Sequence, residues 1–568
     1  MSAAYSGAFR RHLDPRLGSA LILSLIALGG LLANGRPIGA GDTRPTERVA
    51  ASLVRDLDFD LDEFPEITPP FVREVGKHRL SPYPVLSAVL ATPVFFAAQA
   101  LFALDETGTA LAGKIAAAIL ASLAAGSLFL AIGRRHLPAD ASRAVLLFVF
   151  GTSVWSTSQA LWQHPAAVFF LCLSVLCIVR AEEDAVWAGR AGLPLALAVA
   201  ARHAVLPLAV VLSVGVVVRW PRSALRFAAW SAPAAAFVLA YQWFYFGSPL
   251  AHGFSGSLLE RFDAPWGVGH LGLLLSPAKG LLVFSPIVGV AAWGLVGALR
   301  RPDTRPLALL LGLATVAHWI AMGRWREWHG GDCWGPRLMT DALPLLLFFL
   351  PEGLARAGRL GSVLAAVSVA VQALGAFSYD YRWERLHRAA AEPSALWQIE
   401  DSPIPFHARE RVAILALPKV HEGRSAIHRY PLVVWGPTGS RIDFSGGGVS
   451  VTGEPPTLQD VHLQRRASVS GASAKLRGRW AALFMRVRSE ARARPLQLQL
   501  QGFGQGTLYV GESSFWSRIP RWTTYSMKGA FDIRHDYDYP DSGGGDLLVT
   551  LGRAGGEADL ASATLASR

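Results

Sequence analysis

"LPLALAVAARHAVLPLAVVLSVGVVV", from Leu193 to Val218, is an apolar run interrupted by a single charged patch, Arg202 and His203. A run of that length can cross a hydrocarbon core of about 30 Å as one helix, but a charge at its middle is costly unless it is paired or lines a cavity. How this run is read fixes the topology. Read as one crossing, it puts the arginine-rich loops on either side of it on opposite faces of a membrane. Read as two short halves that enter and return, hinged near Arg202 and His203, it leaves them all on one face, as the preference for basic cytoplasmic loops requires.

Working outward, the chain has 568 residues, of which 52% are hydrophobic and 17% charged, with a mean hydropathy of +0.32. A soluble domain cannot hide that much apolar surface, and the composition is that of a polytopic α-helical membrane protein. The first apolar run, Leu17 to Ala33, follows Arg10, Arg11 and Arg16 but ends without a small-residue cleavage site. It reads as an uncleaved first helix with a cytoplasmic N-terminus. Further spans are expected at Leu111–Ile132, Ala144–Ala160, Pro165–Val179, Phe227–Phe246, Leu281–Leu299, Leu307–Met322, Leu338–Leu350 and Leu360–Phe377. The stretch Pro84–Leu104 is then a lateral helix on the outer face, and the total is about 11 transmembrane helices. This places the first outer loop at residues 34–82 and a transmembrane domain at residues 1–380.

Beyond residue 380 hydropathy falls, and short alternating runs such as "YPLVVW", "PLQLQLQGF" and "DLLVTLG" are divided by Gly, Pro, Ser and Asp. Period-two alternation predicts a C-terminal all-β domain, a sandwich or jelly roll over 381–568, on the extracytoplasmic side. The net charge of +12 lies mostly in short loops between spans rather than on a basic helix or aromatic sheet, which argues against nucleic acid as a partner. Cys172 and Cys177 fall within an apolar helix and Cys333 in a loop, so no disulfide framework is indicated. The histidines form no HExxH or tight metal spacing, and no metal ligand set is assigned.

The polar chemistry gathers on the outer loops. "GRWREWHGGDCWGPR", Gly323 to Arg337, holds three tryptophans, three arginines and four glycines between apolar runs. Arginines grip phosphate oxygens bidentately, glycines admit backbone N–H groups, and tryptophan faces suit an interface or a sugar ring. Arg324, Arg326, Arg337, Trp334 and His329 are therefore candidates for a phosphate and a sugar; the alternative is an aromatic belt with snorkelling arginines. Asp42, just past the first helix, is either a helix cap or a general base. Arg202 fits a phosphate contact or a buried salt bridge. Lys279 fits an anion site or an interface flank, and His164 a structural or a catalytic place.

The short first helix with its long acid-bearing outer loop, the lateral "SPYPVLSAVLATP" helix, the hinged short hairpin and the outer-facing polar cluster together resemble the GT-C membrane glycosyltransferases, among them the protein O-mannosyltransferases and aminoarabinose lipid A transferases. "ALWQHPAAV", "AARHAVL", "WFYFGSPLAHGF", "SPAKGLLVFSP" and "WHGGDCWGPRLMTDALPLL" carry the resemblance in order, over roughly residues 15 to 400. It implies an aspartate base early in the first outer loop, which Asp42 matches. Thr43 stands where the family commonly has a second acid, and Glu47, one turn on, is the possible second carboxylate. It further implies a polyprenyl-phosphate sugar donor, a glycan, lipid or protein acceptor on the extracytoplasmic face, and a bacterial cytoplasmic (inner) membrane location. No cofactor is required, and divalent metal need stays open. Two other classes remain: a lipid-linked sugar transporter or flippase, and a sugar-binding scaffold using Trp435, Trp480, Trp516 and Trp522.

Overall fold

The computed structural model describes residues 16–251, 253, 259–379, 381–387, 393–400 and 402–408, and beyond them ten strands between residues 434 and 567. The chain forms two compact units, Met1–His407 and Ala408–Arg568. The first unit extends past the expected boundary at residue 380, because Trp383, Leu396 and Phe406 are buried within it.

Among the described residues, five helices combine the length and composition needed to cross a membrane: Glu106–Ile132, His164–Ala181, Pro221–Phe246, Arg305–Arg324 and Leu350–Ser378. Five shorter apolar helices accompany them, at Leu17–Leu32, Leu86–Gln99, Val186–Ala201, His203–Arg219 and Ile287–Leu299. The run quoted at the outset divides where its charge falls. A helix over Gly192–Ala201 stops at Arg202, whose backbone is extended (φ −155°, ψ 106°), a 3-10 turn follows at His203–Val205, and a second helix begins at Leu206 with Pro207 in its first turn. The lateral stretch is a helix of 14 residues, about 21 Å long at 1.5 Å per residue and short of a full crossing. Its Ala88, Ala91, Phe95 and Ala98 pack with Val49–Ala51 of the Arg44–Arg55 helix and with Ala112, Ala116 and Ala117.

Three expected spans are interrupted. The Ala144–Ala160 stretch stops at Phe150, breaks at Gly151 and resumes for one turn at Ser153–Thr157. Leu281–Leu299 is broken at Ser285 and Pro286. Leu338–Leu350 opens as a 3-10 turn, Arg337–Ala342, before a short helix at Leu343–Leu347. Conversely, Leu350–Ser378 contains a non-helical Gly358 (φ 53°, ψ −126°), so the basic pair Arg356 and Arg359 brackets a turn between two helices.

Small residues set the helix spacing. A Cβ on Gly294 would lie 2.0 Å from the carbonyl oxygen of Phe349, and one on Gly353 2.0 Å from that of Val290. The Ile287–Leu299 and Leu350–Ser378 helices therefore approach backbone to backbone, which in a membrane replaces the missing hydrophobic drive with close packing.

In the second unit, Leu496–Ser514 pairs antiparallel with both Arg521–Tyr537 and Leu547–Ser567. Leu498 and Leu500 are buried while Gln501 faces outward, the two-residue period of a half-buried strand. All ten strands join one hydrogen-bonded network, and the two separate sheets of a sandwich are not seen among the described strands. Trp480 and Trp516 lie outside the described residues, as do Arg10 and Arg11; Trp435 and Trp522 stand in strands Val434–Trp435 and Arg521–Tyr537.

Replacing Gly353 by valine is expected to lower thermal stability in detergent by several degrees, as overpacking costs about 1–3 kcal/mol. Gly29→Ala, where an added Cβ meets nothing within 4 Å, is the control expected to melt with the wild type.

Candidate functional site

The site begins where the first helix ends. Asn34 donates to Gln159 Oε1 (2.8 Å) and to the Ala376 carbonyl (2.7 Å), Ile38 N–H donates to the Gln159 carbonyl (2.8 Å), and Arg36 donates to the Tyr379 carbonyl (2.6 Å). Lys114, buried in the Glu106–Ile132 helix, donates to Asn34 Oδ1 and to the Arg36 carbonyl. These contacts tie residues 34–38 to three separate parts of the helical unit. Asp42 is thereby held at a fixed place.

Asp42 is not a helix cap. The Arg44–Arg55 helix has Thr43 at its N-cap with no side-chain capping bond, and the Asp42 carboxylate instead pairs with Arg337, Oδ2 to Nη1 at 2.5 Å. Both side chains are largely buried, and Asp42 Oδ1 and Arg337 Nε have no hydrogen-bond partner. The Arg337 guanidinium lies over the Trp162 ring, 4.3 Å from its centroid. Tyr83, at the start of the lateral helix, feels the same pair: burial, then the Asp42 carboxylate, pushes its phenol above the usual range.

Arg337 is delivered by a loop with glycines at 330, 331 and 335, all at positive φ (77°, 69° and 75°), which other residues rarely adopt. A buried ammonium pins that loop from behind. Lys279 Nζ donates to the carbonyls of Cys333 (2.6 Å) and Gly331 (3.1 Å) and pairs with Glu384 (2.9 Å). It is fully buried and committed, so it anchors the loop rather than offering an anion site. Beside Arg337 opens a pocket lined by Trp162, Cys333, Trp334, Tyr379 and Tyr381, with Asp332 exposed among its lining residues. Trp334 is wedged between Phe284, Tyr379 and His407.

The other candidates fall elsewhere. Arg202 pairs with Asp341 (2.7 Å), His164 Nδ1 lies 3.1 Å from the same carboxylate, and His318 approaches it at 4.0 Å. Arg202 and His164 therefore belong to a buried structural cluster centred on an aspartate that the sequence reading left without a role. Arg324 donates to the carbonyls of Ala264 and Phe262, and Arg326 forms a two-pronged pair with Asp263 (3.0 and 2.7 Å). Both arginines fasten residues 260–264 and neither contacts Asp42. His329 accepts the Gly331 N–H, and burial, then Lys279 and Arg337, depresses its pKa to about 4, so it is neutral at pH 7.

Glu47 faces inward from the same helix. Its Oε1 has no hydrogen-bond partner, and Gly113 leaves room for it, since a Cβ there would come within 2.9 Å of Glu47 Cγ. Burial pushes its pKa up to about 7, against the Leu161 N–H, Arg48, Thr43 and Arg44, which all favour the anion. Among the described residues, potential metal ligands gather only as Asp60, Asp62 and His78 and as Asp58, Asp60 and Glu63. His78 already pairs there with Asp60 (3.0 Å) and Asp62 (3.1 Å). Trp162, Asp341, Tyr379 and Glu384 were not singled out from sequence. Trp162 sits inside the quoted "ALWQHPAAV", and Asp341 inside "WHGGDCWGPRLMTDALPLL", which was the available signal.

No family model and no curated protein matches the chain. Among solved structures it is similar to ArnT from Cupriavidus metallidurans bound to undecaprenyl phosphate, at 13% identity over 71% of this chain and 71% of that one, with a TM-score of 0.45. It is also similar to the oligosaccharyltransferase AglB from Archaeoglobus fulgidus in complex with an inhibitory peptide and a dolichol-phosphate, at 12% identity, over 75% of this chain and 62% of that one, with a TM-score of 0.40. Both are GT-C membrane glycosyltransferases, the class that the sequence motifs resemble.

The folded state holds the Glu47 proton up to about pH 7, whereas an unfolded glutamate releases it near its ordinary value of 4.5. The native form thus binds the extra proton between those values, and stability declines as pH rises through that window. Glu47→Gln is expected to melt a few degrees above the wild type at pH 8 and level with it at pH 4.5, read from thermal melts of the purified protein at both values.

Proposed function

We propose that the chain is a membrane glycosyltransferase that moves a sugar from a polyprenyl-phosphate donor to an acceptor hydroxyl on the extracytoplasmic face. The observation that supports this reading best is the Asp42–Arg337 pair, with one carboxylate oxygen and the guanidinium Nε left without partners beside a tryptophan-lined pocket. A base and a phosphate-binding cation stand together, as an in-line displacement at an anomeric carbon requires.

In that reaction Asp42 Oδ1 accepts the proton of the acceptor hydroxyl as its oxygen attacks the anomeric carbon. The bond from that carbon to the phosphate oxygen breaks, and the polyprenyl phosphate leaves with the electron pair. Arg337 stabilises the charge gathering on the leaving oxygens. Single displacement inverts the anomeric centre. Trp162, stacked on the guanidinium, holds its plane and limits water around it.

One observation favours the transporter reading. Asp341, Arg202, His164 and His318 form a buried ionisable cluster at the break of an apolar stretch, and such groups inside a membrane often move protons. The two readings separate on Asp42. With purified protein in nanodiscs and polyprenyl-phosphate sugars of several kinds, Asp42→Asn is expected to lower release of polyprenyl phosphate at least about 100-fold, and Arg337→Lys about 10- to 100-fold. Movement of lipid-linked sugar across proteoliposomes without release, abolished by Asp341→Asn and indifferent to Asp42→Asn, would establish transport instead.

A further inference from the structure

The pocket beside Arg337 has an unusual polar lining. Trp162 Nε1, Trp334 Nε1, the Tyr379 hydroxyl and Arg337 Nε are all buried without a hydrogen-bond partner, and all four residues line it. Trp162, Trp334 and Tyr379 are each at most 3% exposed. Buried donors are normally satisfied, and several orphaned ones gathered at one place mark a site completed by a ligand. The lining hydroxyls of Ser156 and Thr157 donate to the chain itself, Ser156 to the carbonyls of Ser153 and Trp334 and Thr157 to that of Ser153. Tyr381 likewise donates to the Gly39 carbonyl.

Anionic acceptors are few by comparison. Asp42 has one oxygen on Arg337 and the other reserved for the acceptor proton in the proposed reaction, and Asp332 is exposed. Resting on that reaction, we infer that the pocket selects the donor's sugar by its oxygen acceptors, taking a neutral or anionic sugar and discriminating against one with a free amine. An ammonium would face the Arg337 cation and three further N–H or O–H donors, with the Asp42 oxygen and the solvent-exposed Asp332 carboxylate as its anionic partners. A hydroxyl or carboxylate satisfies the same donors. The tryptophan and tyrosine rings, whose faces suit sugar C–H groups, are indifferent between them.

The test uses the full-length protein in detergent, titrated in thermal-shift assays with glucose 1-phosphate, glucuronic acid 1-phosphate, glucosamine 1-phosphate and inorganic phosphate. The first two are expected to bind at comparable Kd and tighter than inorganic phosphate, with glucosamine 1-phosphate at least about tenfold weaker. Trp334→Phe, which keeps a ring and loses the N–H, and Tyr379→Phe are each expected to weaken the first two about fivefold and the amine sugar less. Equal or tighter binding of glucosamine 1-phosphate overturns the inference. So does inorganic phosphate binding as tightly as the sugars, or indifference of every ligand to both variants. If the expected ranking holds while no polyprenyl-linked sugar is transferred, the pocket's preference stands and the glycosyltransferase reading fails; transfer with an inverted ranking has the opposite meaning.

Discussion

The contact on which the site depends is the ion pair between Asp42 and Arg337, which joins the segment after the first helix to a residue 295 positions further along the chain. Neither Asp42 nor the glycine-bearing stretch just before Arg337 lies in a helix or strand, so each has to be immobilised by something else. On the Asp42 side this is a polar knot of Asn34, Arg36, Lys114 and Gln159, reaching the Glu106–Ile132 helix and the end of Leu350–Ser378. On the Arg337 side it is the buried Lys279–Glu384 pair acting on the carbonyls of Gly331 and Cys333. A buried ion pair contributes little net stability but is costly to break, about 3–5 kcal/mol when one partner is removed. Such pairs suit the holding of a loop in one register better than the strengthening of a fold.

The second charged centre, around Asp341, does comparable work one turn further on. Arg337 and Asp341 occupy the same 3-10 turn, and Asp341 is gripped by Arg202 at the helix break and by His164 at the start of a spanning helix. The interruption of the Leu193–Val218 run thus has a structural cause and a consequence. The break lets Arg202 reach a buried carboxylate, and that carboxylate orients the turn from which Arg337 extends. A charge that looks misplaced in an apolar run is the point where two halves of the helical unit are joined.

How much of this was legible varies with the range of the signal. The break at Arg202 was readable because the cost of an unpaired charge in an apolar run is local. Asp42 was readable as chemistry but equally as a helix cap, since only the tertiary partner decides between them. Arg324, Arg326 and Arg337 share one loop and one composition, yet two of them fasten a neighbouring segment through Asp263 and the carbonyls of Phe262 and Ala264. Nothing in their spacing distinguishes them, because the distinction lies in which segment each faces after folding. Glu384 was missed because it lies past residue 380, in the short Arg382–His387 helix, where falling hydropathy suggests a new domain, and Tyr379 because it sits at the very end of the Leu350–Ser378 helix, as its C-cap; both belong to the first unit. The interrupted spans were read as continuous because hydropathy averages over the glycine and proline breaks that shape the site.

The pairing of base and cation also constrains the order of events in the proposed reaction. While Arg337 holds Asp42 Oδ2, one of the two carboxylate oxygens is engaged and the side chain is fixed toward the guanidinium. A donor phosphate competes for the guanidinium with a second anion of better bidentate geometry, and Nε, without a partner in the resting pair, is the group already free to meet it. As the phosphate takes over the guanidinium, Oδ2 is released and the whole carboxylate becomes available to an acceptor hydroxyl. Donor before acceptor is therefore the order that the resting geometry favours in the proposed reaction, with Arg337 holding the Asp42 carboxylate in place until a donor phosphate has arrived.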